Sequence, residues 1–416
     1  MHTRPFVVPE DSNNLILRPE LVAPAGSPEK LRVAVRYGAD AVYLSGESYG
    51  LRSRAGNFSM HEIESGITFA HAHGVKVYVT LNAFLQDEDL SGVECFSRFL
   101  ESHGVDGVVV SDLGVLRRVR QTSALPIHLS TQASCLNSGA ALLWKELGVK
   151  RIVLGREATI KDAAAVRCKA DLEVEIFVHG ALCMAFGGRC LISNFTAGRD
   201  ANRGGCVHTC RFRFFDAKGE QVGGAHFLSS KDLCAVDCFS KIVEAGVTGI
   251  KIEGRMRSLY YLACTCRAYR ALIDGLSDQG TTEAGKEMWA NNEVNSVPHR
   301  PFCAGGLKGP LTMESFYSWG GGPDTGCVSR MAGMVLERCG SDALVRLYVE
   351  IAKGQNLEVL PFRGERVNFV VDEIWSITGK RLEHARQDQA VLLPRPKQLP
   401  AWEPFQMIAA KRVDLN

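Results

Sequence analysis

The chain has 416 residues, 48 Lys and Arg against 46 Asp and Glu, and a hydrophobic fraction of 46%. That composition is that of a folded globular protein and excludes a disordered or fibrous chain, while a formal charge of +2 neither announces a nucleic-acid binder nor excludes a local basic patch. No run of apolar residues is long enough for a membrane span, and MHTRPFVVPEDSNN lacks the apolar core of a secretory signal, so a cytoplasmic location without membrane contact is expected.

Eight short apolar runs follow one another: ELVAPAG (20–26), DAVYLSG (40–46), VKVYVTLN (75–82), DGVVVSD (106–112), IHLSTQ (127–132), RIVLGRE (151–157), VEIFVHG (174–180) and TGIKIEGR (248–255). Helix-like segments such as SPEKLRVAVRYG (27–38) separate the first seven. Val-, Ile- and Leu-rich strands alternating with helices predict a parallel sheet covered on both faces, and eight such units fit an α/β fold of the (β/α)8 TIM-barrel type. A doubly wound open sheet is the structural rival. About 65 residues part the last two strands, an insertion at the strand end where barrel enzymes carry their chemistry. The expected organisation is a barrel over 1–300 with a Cys-rich insertion at about 180–225, a Gly/Pro-rich linker over 301–327, and a small C-terminal antiparallel β-barrel over 328–416.

The insertion opens with HGALCMAFGGRCLISNFTAGRDANRGGCVHTCRFRF, which places Cys183, Cys190, Cys206 and Cys210 in one stretch. Glycines 187, 188, 204 and 205 let the backbone bend around a bulky object, and Arg189, Arg199, Arg203 and Arg211 bring positive charge to thiolates. Four Cys ligands suit an iron–sulfur cluster or a structural Zn²⁺; the lack of paired CxxC knuckles favours the cluster. Four unrelated thiols are the alternative, since the chain has 14 cysteines and a reducing compartment keeps them free, buried or metal-bound. Cys234 in SSKDLC is a possible substitute ligand, whereas Cys95, Cys135, Cys168, Cys264 and Cys266 sit in helix-like segments as core residues.

The segment EIFVHGALCMAFGGRCLIS (175–193) resembles the signature of the collagenase-like peptidase family, and NRGGCVHTCR, SSKDLC, EAGVTGIKIEGRMRS, LSTQAS and ELVAPAG resemble its other motifs in order. The resemblance implies an oxygen-independent hydroxylation protein: 5-hydroxylation of a tRNA wobble uridine, with prephenate as donor. It implies a [4Fe–4S] cluster on Cys183, Cys190 and Cys206, with Cys210 as fourth ligand and Cys234 in reserve. Peptidase activity and a non-catalytic iron–sulfur partner subunit are the alternatives. The partners implied are tRNA or another RNA and a small anionic donor, with an oligomer or a partner subunit left open. No GxSxG elbow or HExxH helix supports proteolysis.

Other candidates fall at strand ends. Arg52, Arg54 and Asn57 follow the second strand and suit a carboxylate or phosphate; the alternative is a solvated loop. Thr131 and Gln132 end the fifth strand as substrate-binding candidates, as does Arg203 in the insertion; His128 is a core histidine by default and Asn137 a helix cap. Lys251, Glu253 and Arg255 alternate at the end of the eighth run, where charges need partners or a polar cavity. With Glu175 and His179 they form the candidate catalytic set, the alternative being an ion-pair network inside the barrel.

Overall fold

The computed structural model describes residues 17–51, 56–222, 226–277, 280, 282–318 and 329–411. Strand β1 (Glu20–Pro24) leads to helix α1 (Pro28–Arg36), β2 (Ala41–Leu44) to α2 (Met60–His71), and β3 (Lys76–Leu81) to α3 (Val93–Ser102). The series continues through β4 (Gly107–Val110), α4 (Leu113–Thr122), β5 (Ile127–Leu129), α5 (Ser138–Glu146), β6 (Val149–Val153), α6 (Ile160–Ala170) and β7 (Glu173–Ala181). The chain turns from strand to helix where a side chain caps the first free backbone amides: Ser27 accepts from Lys30, Asp112 from Val115 and Asn137 from Ala140. Ser59 with Glu62 and Thr159 with Asp162 form full capping boxes.

After β7 the insertion carries α7 (Ile192–Ala197) and returns through β8 (Asp232–Cys234) and α8 (Phe239–Glu244) to β9 (Gly249–Ile252). β1 through β7 pair in parallel in sequence order, and β9 pairs in parallel with both β7 and β1, which closes an eight-stranded barrel. β8 lies outside this ring, antiparallel to β7 at its far end. Helices α9 (Leu259–Gly275) and α10 (Glu283–Asn295) follow. β10 (Phe302–Cys303) then pairs with β8, and Lys231 donates to the Phe316 carbonyl in α11 (Met313–Phe316), so residues 302–316 run along the barrel. Residues 319–328 lie outside the described residues.

The C-terminal region comprises β11 (Ser329–Cys339), β12 (Asp342–Leu347), β13 (Ile351–Ala352), β14 (Asn356–Leu360), β15 (Val367–Val370), β16 (Ile374–Ser376), β17 (Arg381–Leu382), β18 (His384–Ala385), β19 (Ala390–Leu393) and β20 (Met407–Lys411). Eight of these form one antiparallel sheet in the order β15-β14-β20-β11-β12-β19-β16-β17. The sheet curls over its own core of Val345, Leu357, Ile374 and Trp402, helped by two irregularities in β11 that sharpen its twist. It is the small antiparallel β domain expected at the C-terminus, curled into a half-barrel: among the described residues its edge strands β15 and β17 do not pair. β16 and β17 share only two residue pairs, too short a ladder to reach across.

The half-barrel is fastened to the barrel's helices. The buried Tyr37 hydroxyl donates to the Leu360 carbonyl and accepts from the Met407 amide, both at 2.9 Å. Arg366 reaches Glu293 of α10 at 2.9 Å, the Tyr260 hydroxyl at 2.9 Å and Ser296 at 2.8 Å.

Candidate functional site

Two polar layers occupy the barrel interior. In the deeper layer Glu175, 1% exposed, receives Lys251 Nζ at 2.7 Å and Arg151 at 3.1 Å. Arg151 also meets Glu20 at 2.5 Å and Glu173 at 2.6 Å, and the Tyr78 hydroxyl donates to Glu20 at 2.9 Å. Burial works to raise the Glu175 carboxyl, but Lys251 and Arg151 outweigh it and hold it below the usual carboxylate range. His128 stacks edge-on against Tyr78, and burial, then Arg151 and Lys251, keep it neutral. Glu175 therefore belongs to an ion-pair network, and a proton-transfer role on the open rim does not fit it.

Above this layer, at the C-terminal ends of the strands, opens a cavity of about 360 Å³. Its wall includes Asn82, Ser130, Thr131, Gln132 and Arg156 from strand ends, Lys251, Glu253, Arg255 and Arg257 from β9 and the turn after it, and Cys183, Cys190, Cys206, His208, Cys210 and Arg211 from the insertion. Among the described residues five Lys or Arg side chains and one carboxylate, Glu253, line the wall; Lys251 is also held by Glu175 at 2.7 Å and Arg257 by Asp232 at 2.8 Å. Lys251 Nζ sits 4.2 Å from the centre of the Tyr43 ring and bridges the two layers. The Arg156 guanidinium carbon sits over the Phe177 ring, 3.9 Å from its centre, with Glu253 at 3.7 Å. Arg255 donates to Asn57 Oδ1 at 2.8 Å, so Asn57 supports the cavity from behind. Burial and the nearby Arg300 lower the pKa of Arg211. Its Nε is buried without a hydrogen-bond partner.

The insertion is braced so that its thiols face inward. Asn202 accepts from the Cys190 amide and donates to the Cys190 carbonyl, each at 3.1 Å, and Ser193, Thr196 and Thr209 link their hydroxyls. The Ile192 amide points at Cys190 Sγ at 3.5 Å. Burial pushes the Cys190 thiol up, and the charges of Cys183 and Cys206 push the same way. Burial also raises Cys210, against Arg211, with Cys183, Cys206 and Cys190 adding to the rise. The four thiols therefore share one electrostatic neighbourhood on one cavity wall.

Among the described residues no three His, Cys, Asp or Glu side chains are gathered tightly enough for a single ion. A tetrahedral Zn²⁺ with bonds of about 2.3 Å would draw its sulfurs to within about 4 Å of each other. A cubane cluster takes one thiolate per iron and leaves the sulfurs wider apart, so four thiols spaced around a cationic cavity suit it better. Cys234, the reserve ligand, is not on the cavity wall; it is half-buried beside Tyr269 and its thiol is pushed up to about 11.

Two further candidates are displaced. His179 does not line the cavity: it packs between Tyr261, Tyr269 and Phe302, and burial, with Arg257 and His299 against Asp232, lowers it to about 3. The β7–β9 register slips between Phe177 and His179, which sends Phe177 inward and His179 toward the helices. Arg203 is absent from the wall because Asp89 grips it in two places, at 2.6 and 3.1 Å. Arg52 and Arg54 lie outside the described residues. Sequence reasoning overlooked Arg156, Arg257, Asn82 and His208. For Arg156 a signal existed, since LGRE at the end of β6 places an arginine after a strand-end glycine just as EGR does at the end of β9.

A match to "Peptidase family U32" extends over residues 26–314. This chain belongs to peptidase family U32. The family's barrel and insertion therefore carry the site, with the half-barrel mostly beyond the match. The chain is 35% identical to the "tRNA hydroxylation protein P1" of Bacillus subtilis (strain 168), over 89% of this chain and 90% of the relative. It is 30% identical to the "tRNA hydroxylation protein P" of Escherichia coli (strain K12), over 92% and 95%. It is also 36% identical to the "23S rRNA 5-hydroxycytidine C2501 synthase" of the same organism, over 63% of this chain and 40% of that one. Among the described residues no helix is long and apolar enough to cross a membrane.

Proposed function

We propose that this U32 chain is an iron–sulfur enzyme that hydroxylates the C5 position of a tRNA wobble uridine without oxygen, with prephenate as donor. The observation that carries the reading is the convergence of four thiols and five cations on one cavity at the barrel mouth. Names of relatives that span nearly the whole chain supply the RNA and the hydroxylation. Cys183, Cys190, Cys206 and Cys210 would hold a [4Fe–4S] cluster, which when bound supplies electron transfer or a Lewis-acidic iron.

The rest is work for the chain's own residues. Arg156, Arg211 and Arg255 bind the two carboxylates of the donor, and Phe177 fixes the plane of Arg156 before the donor arrives. Asn82, Thr131 and Gln132 offer the hydrogen bonds that orient a base. A loop nucleotide enters such a cavity at little cost because it is already unpaired. Glu253, the one carboxylate on the wall among the described residues, is the group offered to take the proton that leaves C5. Below the cavity Glu175 holds Lys251 Nζ at 2.7 Å.

Proteolysis explains less. Cys206 and His208 both face the cavity, but a single nucleophile leaves three thiols and the cations without a part to play. Mass spectrometry of tRNA nucleosides from a deletion strain tests the proposal: 5-hydroxyuridine and its derivatives disappear and return with the wild-type gene. Unchanged levels would overturn it.

A further inference from the structure

Among the described residues four phenylalanines are well exposed, and all four fall in the Cys-rich insertion: Phe186, Phe195, Phe212 and Phe215. Phe195 is 86% exposed. Among the described residues none of the other large apolar side chains left in water is a phenylalanine. Exposed aromatic groupings of this kind mark surfaces that meet a partner.

The same stretch carries the charge. Between positions 183 and 215 there are five arginines and one acid, in a chain that is otherwise balanced. Arg203 is held by Asp89, but Arg189 and Arg213 are exposed beside the phenylalanines in sequence. The insertion also has two sides. Cys190, Ile192, Cys210 and Arg211 line the cavity, whereas Phe195 and Phe212, close behind them in the chain, face solvent. The aromatics therefore stand on the outer side of the wall that surrounds the candidate site.

Aromatic faces interleaved with arginines are the chemistry that holds unpaired nucleotides: bases stack on the rings and phosphates meet the guanidinium groups. Aromatics and arginines also occur at protein interfaces, but five arginines against one acid favour a polyanion. We propose that the outer face of the insertion is a stacking platform for the single-stranded nucleotides that flank the base in the cavity. The proposal rests on the RNA reading above and adds the surface and its mode of recognition. It makes the insertion act twice, with the thiols and cavity on one side and the neighbouring bases on the other. The target is then selected as an unpaired loop, independently of the chemistry done on it.

The test is binding of the full-length protein, purified without air, to a fluorescent RNA hairpin with a single-stranded loop and to an uninterrupted duplex of the same stem. Phe195→Ala and Phe215→Ala each weaken hairpin binding about ten-fold, the usual loss for one stacked base. Duplex binding is unchanged, and Phe195→Trp restores the hairpin while Phe195→Leu does not. Both positions are on the surface, so the variants fold. If the wild type favours the hairpin and the alanine variants bind it equally well, the platform is refuted while the RNA reading stands. If they bind it equally well and a wild-type oligomer dissociates in light scattering, the face serves a second copy of the chain and the proposal falls. If the wild type binds neither RNA, the RNA reading falls and the platform with it.

Discussion

The deep layer of the barrel and its mouth hold similar residues arranged to opposite ends. Below, Arg151 and Lys251 meet Glu20, Glu173 and Glu175, and every charge has an opposite within about salt-bridge reach. Above, Arg156, Arg211, Lys251, Arg255 and Arg257 surround one carboxylate. The deep layer is complete without a ligand and stiffens the barrel; at the mouth Lys251 is held by Glu175 and Arg257 by Asp232, and the excess of cations over carboxylates on the wall itself favours an anion. Charge type alone does not separate the two, whereas local charge balance does.

Four perturbations would break or sharpen that contrast. The largest effect is expected from Cys183→Ala, which removes bound iron and extinguishes hydroxylation with the fold intact, while Cys234→Ala keeps the iron; iron assays and tRNA nucleoside analysis check both. Next, Glu175→Gln leaves Lys251 buried without its anion, takes one of three carboxylates from Arg151 and costs about 3–5 kcal/mol in denaturant unfolding. Arg156→Gln, at the mouth, alters stability little but removes a charge-assisted bond of about 1.5–3 kcal/mol, so the KM for prephenate rises at least about ten-fold with iron content unchanged.

The smallest effect is on pH dependence. His179 stays neutral in the fold down to about 3, while the unfolded chain takes up its proton near the ordinary value of 6.5. Its folded value is depressed, so stability falls as pH drops through that interval, and His179→Gln flattens the decline in unfolding experiments. Glu175 and Asp232, also held below their ordinary range, contribute stability above it that is lost only in stronger acid.

The barrel was legible because each strand is a short β-branched run followed by a capped helix, and both signals are local. The thiols were legible because they share one stretch of chain. Other features depend on distance in space. The period of two puts Glu175 and Lys251 inside the barrel, but it does not say how deep along the axis each side chain lies. The same period misplaced His179, because a single register slip beside Phe177 turns it outward. Arg203 looked like a ligand for an anion until Asp89, 114 residues away in the chain, was seen to hold it. The small β domain was legible from its alternation, but whether its edges meet was not, because alternation reports only a buried face.

The clasp between Tyr37, Leu360 and Met407, with Arg366 on Glu293, ties the half-barrel to the barrel's helices at two separate points and so opposes swinging. Whatever long substrate lies across both domains is gauged against a ruler of constant length. Its far end must lie at one set distance from the reacting base, so the molecule can reject an otherwise suitable loop because the body attached to it has the wrong shape.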